Sequence, residues 1–172
     1  MLLWASALDA SGRSLGPPVL CMNDGVVSRS ALGGLITLTA QRGSALLATW
    51  RGDGLIVATG AGSTAYSLSA GGPVLAPSMD ALVLTPLASH SLSARPFVLP
   101  ADDGVEIEVL DTGERPACFF QIDGQVTVEL QSGARAVLRP AEVRFRHLVP
   151  DKDHFYRVLR AKLGFADLPR GR

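Results

Sequence analysis

The residues best suited to chemistry lie in one stretch, from Trp50 to Gly72. An apolar strand over Leu55 to Ala58 runs into the turn Gly60-Ala61-Gly62 and then into the start of a helix at about Thr64. The first turn of a helix has N–H groups without intrahelical acceptors, and together with the Ser63 and Thr64 hydroxyls these would offer donors to a phosphate or a ribose. Glycine lets a ligand approach the backbone closely, and Asp53, just before the strand, carries a carboxylate suited to ribose hydroxyls or an amide. The same residues also suit a plain strand-to-helix turn, with Asp53 and the later Asp123 as turn residues and Tyr66 as core. Three better-defined chemistries are excluded. No lysine follows Gly62 as a Walker loop requires, the glycine spacing and setting are not those of a dinucleotide fingerprint, and Gly62-Ser63 does not make Gly-x-Ser-x-Gly.

The elements that must position this stretch read mostly with a period of two. Val105, Ile107 and Val109 alternate with Glu106 and Glu108, and Val126, Val128 and Leu130 alternate with Thr127 and Glu129, as in strands with one wet face. Val143, Phe145, His147 and Val149 alternate with Arg144 and Arg146 and predict another strand, and Leu35 to Thr39 and Leu46 to Trp50 add two more. Turn signals separate them at Gly43-Ser44, Gly52-Asp53-Gly54, Asp111-Thr112-Gly113, Asp123-Gly124 and Ser132-Gly133. Many short strands joined by glycine-rich turns predict an all-β fold, a two-layer antiparallel β-sandwich with two short helices. The first helix is expected from about Thr64 to Ala70, capped by Ser63 and stopped at Gly71-Gly72-Pro73. The second is expected from about His154 to Leu163, capped by Asp153 and ended by Gly164, with Phe155, Val158, Leu159 and Leu163 on one face.

Composition narrows the class. With 172 residues, 47% hydrophobic and 19% charged, the chain has enough apolar surface for one core, and its mean hydropathy of +0.25 excludes charge-driven disorder. Lysine and arginine balance aspartate and glutamate at 16 each, so a general nucleic-acid or acidic-membrane surface is unsupported. No apolar run reaches the ~18 residues of a membrane span, and Met1 to Leu8 lacks a signal-peptide pattern, so a cytoplasmic location is expected. Cys21 and Cys118 are expected as two buried thiols, and His90 and His147 as structural histidines.

Asp53 to Gly72, continuing through Pro73, Pro77-Ser78-Met79-Asp80-Ala81, Leu84-Thr85-Pro86, Ser89-His90-Ser91-Leu92-Ser93-Ala94-Arg95-Pro96 and Leu99-Pro100, closely resembles the C-terminal domain of the NAD kinases. The likeness extends back to Arg51 and Asn23-Asp24 and forward through Ile122-Asp123-Gly124-Gln125 to the segment Phe155 to Phe165, covering essentially the whole chain. It implies a cytoplasmic kinase that moves the terminal phosphoryl group of ATP, or polyphosphate in some members, to the 2′-hydroxyl of the NAD adenosine ribose with help from Mg²⁺ or another divalent ion. It implies a C-terminal β-sandwich behind an N-terminal α/β domain, in a homodimer or homotetramer. By resemblance, NAD contacts fall on Asn23, Asp24, Arg51, Asp53, Thr64, Ala65, Tyr66, Ser67, Leu68, Ser69 and Gln125, and on Ala88 for NAD bound to a neighbouring subunit. The residue types suit such contacts. The Asn23 amide can pair with a purine edge or ribose, Asp24 and Asp53 can accept from hydroxyls, and Tyr66 can stack.

The sequence departs from the family in two places. Thr59-Gly60-Ala61-Gly62 stands where the family usually has Thr-Pro-Thr-Gly, and the Gly-Gly-Asp-Gly-Thr motif, whose aspartate is taken as the catalytic base, does not occur. Residues 1–165 are therefore expected to form the NAD-binding sandwich and 166–172 a flexible tail, with no catalytic or metal-binding residue in the chain and no turnover by the chain alone. A fragment of a complete kinase, half of a kinase working with a separate N-terminal kinase domain, a stand-alone NAD(H)- or NADP(H)-binding module, and an oligomerisation module all remain open readings.

Overall fold

The computed structural model describes residues 1–31, 33–89, 91, 93–111 and 118–164. His90, the Thr112-Gly113 turn, Phe165 and the tail 166–172 lie outside the described residues. Twelve strands are described: β1 (Leu3–Leu8), β2 (Val19–Cys21), β3 (Asp24–Arg29), β4 (Ile36–Arg42), β5 (Ala45–Gly52), β6 (Gly54–Thr59), β7 (Ala81–Leu87), β8 (Phe97–Pro100), β9 (Val105–Asp111), β10 (Cys118–Ile122), β11 (Val126–Leu130) and β12 (Arg135–Pro140). They form two six-stranded sheets, in the orders β2-β1-β12-β9-β4-β5 and β11-β10-β3-β6-β7-β8, with every pairing antiparallel. The predicted β-sandwich is the fold.

The core lies between the sheets. Leu3, Leu38, Ile107 and Leu138 of the first sheet meet Val27, Leu55, Leu84 and Phe120 of the second in one buried cluster. On β9, Val105, Ile107 and Val109 are buried as the alternation requires. β11 follows its pattern less fully because it is an edge strand: Val126 is exposed and only Leu130 is fully buried. β6 is buried along its whole length, since a second cluster of Val26, Ile56, Ala58, Leu75 and Val83 covers its outer face. Burial on both faces explains why Leu55 to Ala58 is a continuous apolar run rather than an alternating one.

Several expectations fail. Residues 143–149 form no strand, and Val143, Phe145, Leu148 and Val149 are exposed. β12 ends on Pro140, which has no N–H for a ladder. The arm that follows is held at its base by the Ala141 N–H donating to the Leu2 carbonyl and by Arg144 gripping Asp80 through two bonds of 2.9 and 2.8 Å. His147 in this arm is exposed and contacts Phe145, so it is not a buried structural histidine. The first helix is also shorter than predicted: a 3₁₀ turn at Gly62–Thr64 precedes a single turn, α1 (Tyr66–Ser69).

The second helix, α2 (His154–Leu163), has the predicted bounds, with Gly164 in the left-handed conformation after it. The Asp153 side chain makes no capping bond. Asp151 instead accepts the Asp153 N–H just before the helix and pairs twice with Arg157. Of the predicted apolar face only Leu159 is buried; Leu163 is exposed. Both cysteines are free and buried. Among the described residues no helix is long and apolar enough to cross a membrane.

Candidate functional site

β3, β6 and β7 bring the predicted site residues to two places. The register pairs Asp24 with Ala58 and Ser28 with Gly54, so the Asn23–Asp24 end of β3 meets the Thr59 end of β6. Asp53, Arg29 and Ala88 gather at the other end. The two ends are separated by about 17 Å, the rise of β6.

At the first end, the turn between β2 and β3 is clasped by the β10–β11 turn. One Asp123 carboxylate oxygen accepts the Met22 N–H at 2.7 Å, and the other accepts those of Asn23 and Asp24 at 2.7 and 3.1 Å. The Asp123 N–H donates back to the Asp24 carbonyl, and Asp123 itself adopts a left-handed conformation at φ 49°. The Cys21 thiol also points at this carboxylate; burial foremost, then the Asp123 charge, raises its pKa, so it is held as an inert thiol. Asp123 is thus a turn residue that also sets the position of the candidate pair Asn23-Asp24. The Asp-Gly signal reveals the turn, but nothing in the sequence shows which amides its carboxylate will reach.

Thr59 completes the clasp. Its hydroxyl donates to the Met22 carbonyl and accepts the Gly62 N–H, while its own N–H donates to the Asn23 carbonyl. Gly62 lies directly on this turn: a Cβ there would stand 1.9 Å from the Asn23 carbonyl oxygen. Gly60 is similarly enclosed, with the Ala76 carbonyl oxygen 2.9 Å from where its Cβ would be. The proline usual in the family would require the 76–79 turn to shift at this place.

The segment is not the open anion cradle expected from its glycines. The Gly62 N–H binds Thr59 and the Ala65 N–H binds the Gly62 carbonyl, while the Tyr66 N–H favours the charged form of the Asp24 carboxyl. Ser63 does not cap the helix. Its buried hydroxyl donates to the Gly60 carbonyl and accepts the Leu75 N–H, tying the turn to the chain beyond α1. Ser67 faces inward, fully buried, and shares a 2.8 Å hydrogen bond with Thr85 of β7, so its hydroxyl holds α1 on the sheet.

Other side chains at this end face outward. Thr64, Tyr66 and Ser69 are exposed, Ala65 and Leu68 are half-buried, and Gln125 is exposed on the β10–β11 turn. The Asn23 amide makes no hydrogen bond among the described residues. Asp24 is only 6% exposed, and burial foremost, with the Asp123 charge, pushes its carboxyl up to about 6; the Tyr66 N–H works the other way. An amide, a poised carboxylate and a half-exposed phenol therefore stand together on a braced backbone, a set able to pair with hydroxyls and a base edge and to stack on a ring.

At the second end, Arg51 is exposed on the edge strand β5, and Asp53 follows between β5 and β6. The Asp53 N–H donates to the Leu87 carbonyl, and one carboxylate oxygen accepts Arg29 Nε at 2.5 Å. Ala88 beside them is exposed and has φ 42°, a left-handed conformation uncommon for a residue with a side chain. Sequence reasoning gave no role to Arg29, Thr59 or Thr85; Thr59 and Thr85 lie in stretches compared with the family, but each is a polar residue within a strand whose partner lies far away in sequence.

Residues 22–148 match the family model described as the ATP-NAD kinase C-terminal domain. The chain is 38% identical over 163 residues to an NAD kinase of Desulforamulus reducens, covering 95% of this chain and 55% of that one. It is 42% identical over 150 residues to an NAD kinase of Cupriavidus pinatubonensis, covering 87% and 48%. The chain thus spans about half the length of these relatives. Among solved structures, it resembles yeast NADH kinase complexed with NADH, with a TM-score of 0.87 and 26% identity over 99% of this chain and 51% of that one. The fold is also similar to that of an NAD kinase from Archaeoglobus fulgidus in complex with ATP, with a TM-score of 0.70 at 23% identity over 91% and 58%.

Proposed function

Because this chain belongs to the ATP-NAD kinase family through the family's C-terminal domain, we propose that it is the dinucleotide-gripping half of an enzyme that phosphorylates NAD on its adenosine ribose. The observation that carries this reading is the convergence of Asn23, Asp24 and Tyr66 at one sheet end, on a turn that Asp123 and Thr59 brace from both sides. Asn23 pairs with the purine edge or ribose, Asp24 accepts from a ribose hydroxyl, and Tyr66 stacks. Thr64, Ala65, Leu68, Ser69 and Gln125 line the approach, while Ser67 acts from beneath.

In the complete enzyme the ribose 2′-oxygen bonds to the terminal phosphorus of ATP as the bond to the bridging oxygen breaks and ADP leaves. The hydroxyl proton passes to the aspartate of the family's Gly-Gly-Asp-Gly-Thr motif, which this sequence does not contain. Among the described residues no three His, Cys, Asp or Glu side chains are grouped to hold a metal ion. By resemblance to the family, the divalent ion and the ATP triphosphate are assigned to an α/β domain that works with residues 1–165. Arg51, Asp53 and Ala88 stand too far along β6 from Asn23 to flank the same ring, and they are assigned to NAD held against a neighbouring copy in a homodimer or homotetramer. By resemblance to the family, the enzyme is placed in the cytoplasm.

Calorimetric titration with NAD and NADP tests the proposal. Saturable heat with at least one nucleotide is expected. Tyr66→Ala should weaken binding about tenfold, as loss of a ring stack predicts, with little change in melting temperature because the ring is half-exposed. The same sample supplied with ATP, Mg²⁺ and NAD should form no NADP. A folded sample that takes up neither nucleotide would instead favour an oligomerisation module.

A further inference from the structure

The ion pair at the Asp53 end reaches beyond the residues matched to the family's contacts. Arg29, the last residue of β3, turns its guanidinium toward Asp53 and the segment 30–33. Nε donates to one Asp53 carboxylate oxygen at 2.5 Å, and Nη1 donates to the carbonyls of Ser30 and Gly33 at 3.1 and 3.2 Å. The backbones are joined as well, the Arg29 N–H donating to the Asp53 carbonyl at 2.9 Å. The planar fork is thus anchored on two carbonyls before it meets the carboxylate, which leaves the carboxylate few orientations. The other Asp53 oxygen makes no hydrogen bond among the described residues and remains available as an acceptor.

The pair is poorly placed to serve stability. Its side chains are 31% and 36% exposed, and a half-exposed pair of this kind adds only modestly to folding. Its geometry does serve orientation: a lone aspartate on a turn samples several rotamers, and each lost on binding weakens the complex.

We propose that Arg29 is a positioning residue for the nucleotide, holding Asp53 so that its outer oxygen faces a ribose hydroxyl or amide; this rests on the reading of Asp53 as a ligand contact. The whole chain is titrated with NAD as wild type, Arg29→Gln, Arg29→Lys, Asp53→Ala and the double variant Arg29→Gln/Asp53→Ala. Arg29→Gln is expected to weaken binding about tenfold, the scale of one charge-assisted hydrogen bond, with an unchanged melting temperature. Arg29→Lys should recover only part of the loss, since an ammonium cannot reproduce the fork. The double variant should bind no more weakly than Asp53→Ala alone, because Arg29 acts only through Asp53.

A general structural role would make the two losses additive or lower the melting temperature, and either result overturns the proposal. So does wild-type affinity in Arg29→Gln beside a weakened Asp53→Ala, which leaves the Asp53 reading intact. Wild-type affinity in Asp53→Ala removes that reading and the proposal together. If Arg29→Gln does not fold, Arg29→Lys carries the same comparison with Asp53→Ala.

Discussion

Asp24 is held in conflict with its surroundings. Nearly buried and close to the Asp123 carboxylate, it has a carboxyl pKa raised from an ordinary 3.8 to about 6, although the Tyr66 N–H favours its charge. The folded state therefore binds a proton more tightly than the unfolded chain. Between about pH 4 and pH 6 this group takes up a proton on folding, so its contribution becomes less favourable as pH rises through that window and is a full cost above it. Asp24→Asn should raise the melting temperature at pH 7.5, by on the order of 2 kcal/mol of stability, and the gain should fade as scans are repeated toward pH 5. The same variant should bind NAD less well, since a carboxylate is the better acceptor for a ribose hydroxyl. A gain independent of pH would mean that Asp24 is not the strained group. Retaining a destabilised acid at this place is the pattern of a functional site.

At the scale of elements, the site depends on how closely the 3₁₀ turn at Gly62–Thr64 packs on the turn before β3. Gly62 has no alternative, because a methyl group there would fall within 2.6 Å of the Asn23 carbonyl oxygen, carbonyl carbon and Cα, all of them backbone. Gly62→Ala is expected to cost about 3 kcal/mol, at the upper end for overpacking, and to abolish NAD binding by pushing Asn23 and Asp24 off the clasp. Urea denaturation read beside a calorimetric titration checks both effects, and a variant of wild-type stability would show that this contact relaxes cheaply. The same closeness explains the short helix. Gly62 and Ala65 find their partners in Thr59 and in the 3₁₀ turn itself, which leaves a single turn of α-helix.

For the whole molecule, the sandwich supplies a double layer, and the arm after β12 is only lightly secured to it. Val143, Phe145, Leu148 and Val149 are exposed there, and the two bonds from Arg144 to Asp80 lie in the open, with side chains 64% and 50% exposed. Such a pair is easily screened by salt. Asp80→Asn should speed tryptic cleavage after Arg144 and Arg146, and high salt should do the same to the wild-type protein. Equal digestion rates would show that the arm is anchored elsewhere.

Much of this was legible in the residues. Alternation at Val105 to Val109, glycine-rich turns and the apolar run Leu55 to Ala58 determine the β-sandwich, because burial of one or both strand faces imposes those patterns locally. The stretches from Asn23 to Gln125 carry the resemblance that identifies the family. The tertiary structure alone decided that the candidate contacts divide between two ends of β6, since register is a relation between strands distant in sequence. It alone assigned the hydroxyls of Ser63, Ser67 and Thr59 to internal bonds and withheld a ladder from residues 143–149. It also placed Asp123 under three consecutive amides about a hundred positions away and Arg29 beside Asp53. A hydrogen bond depends on where two groups finally lie, and that position is set only once the sheets have packed.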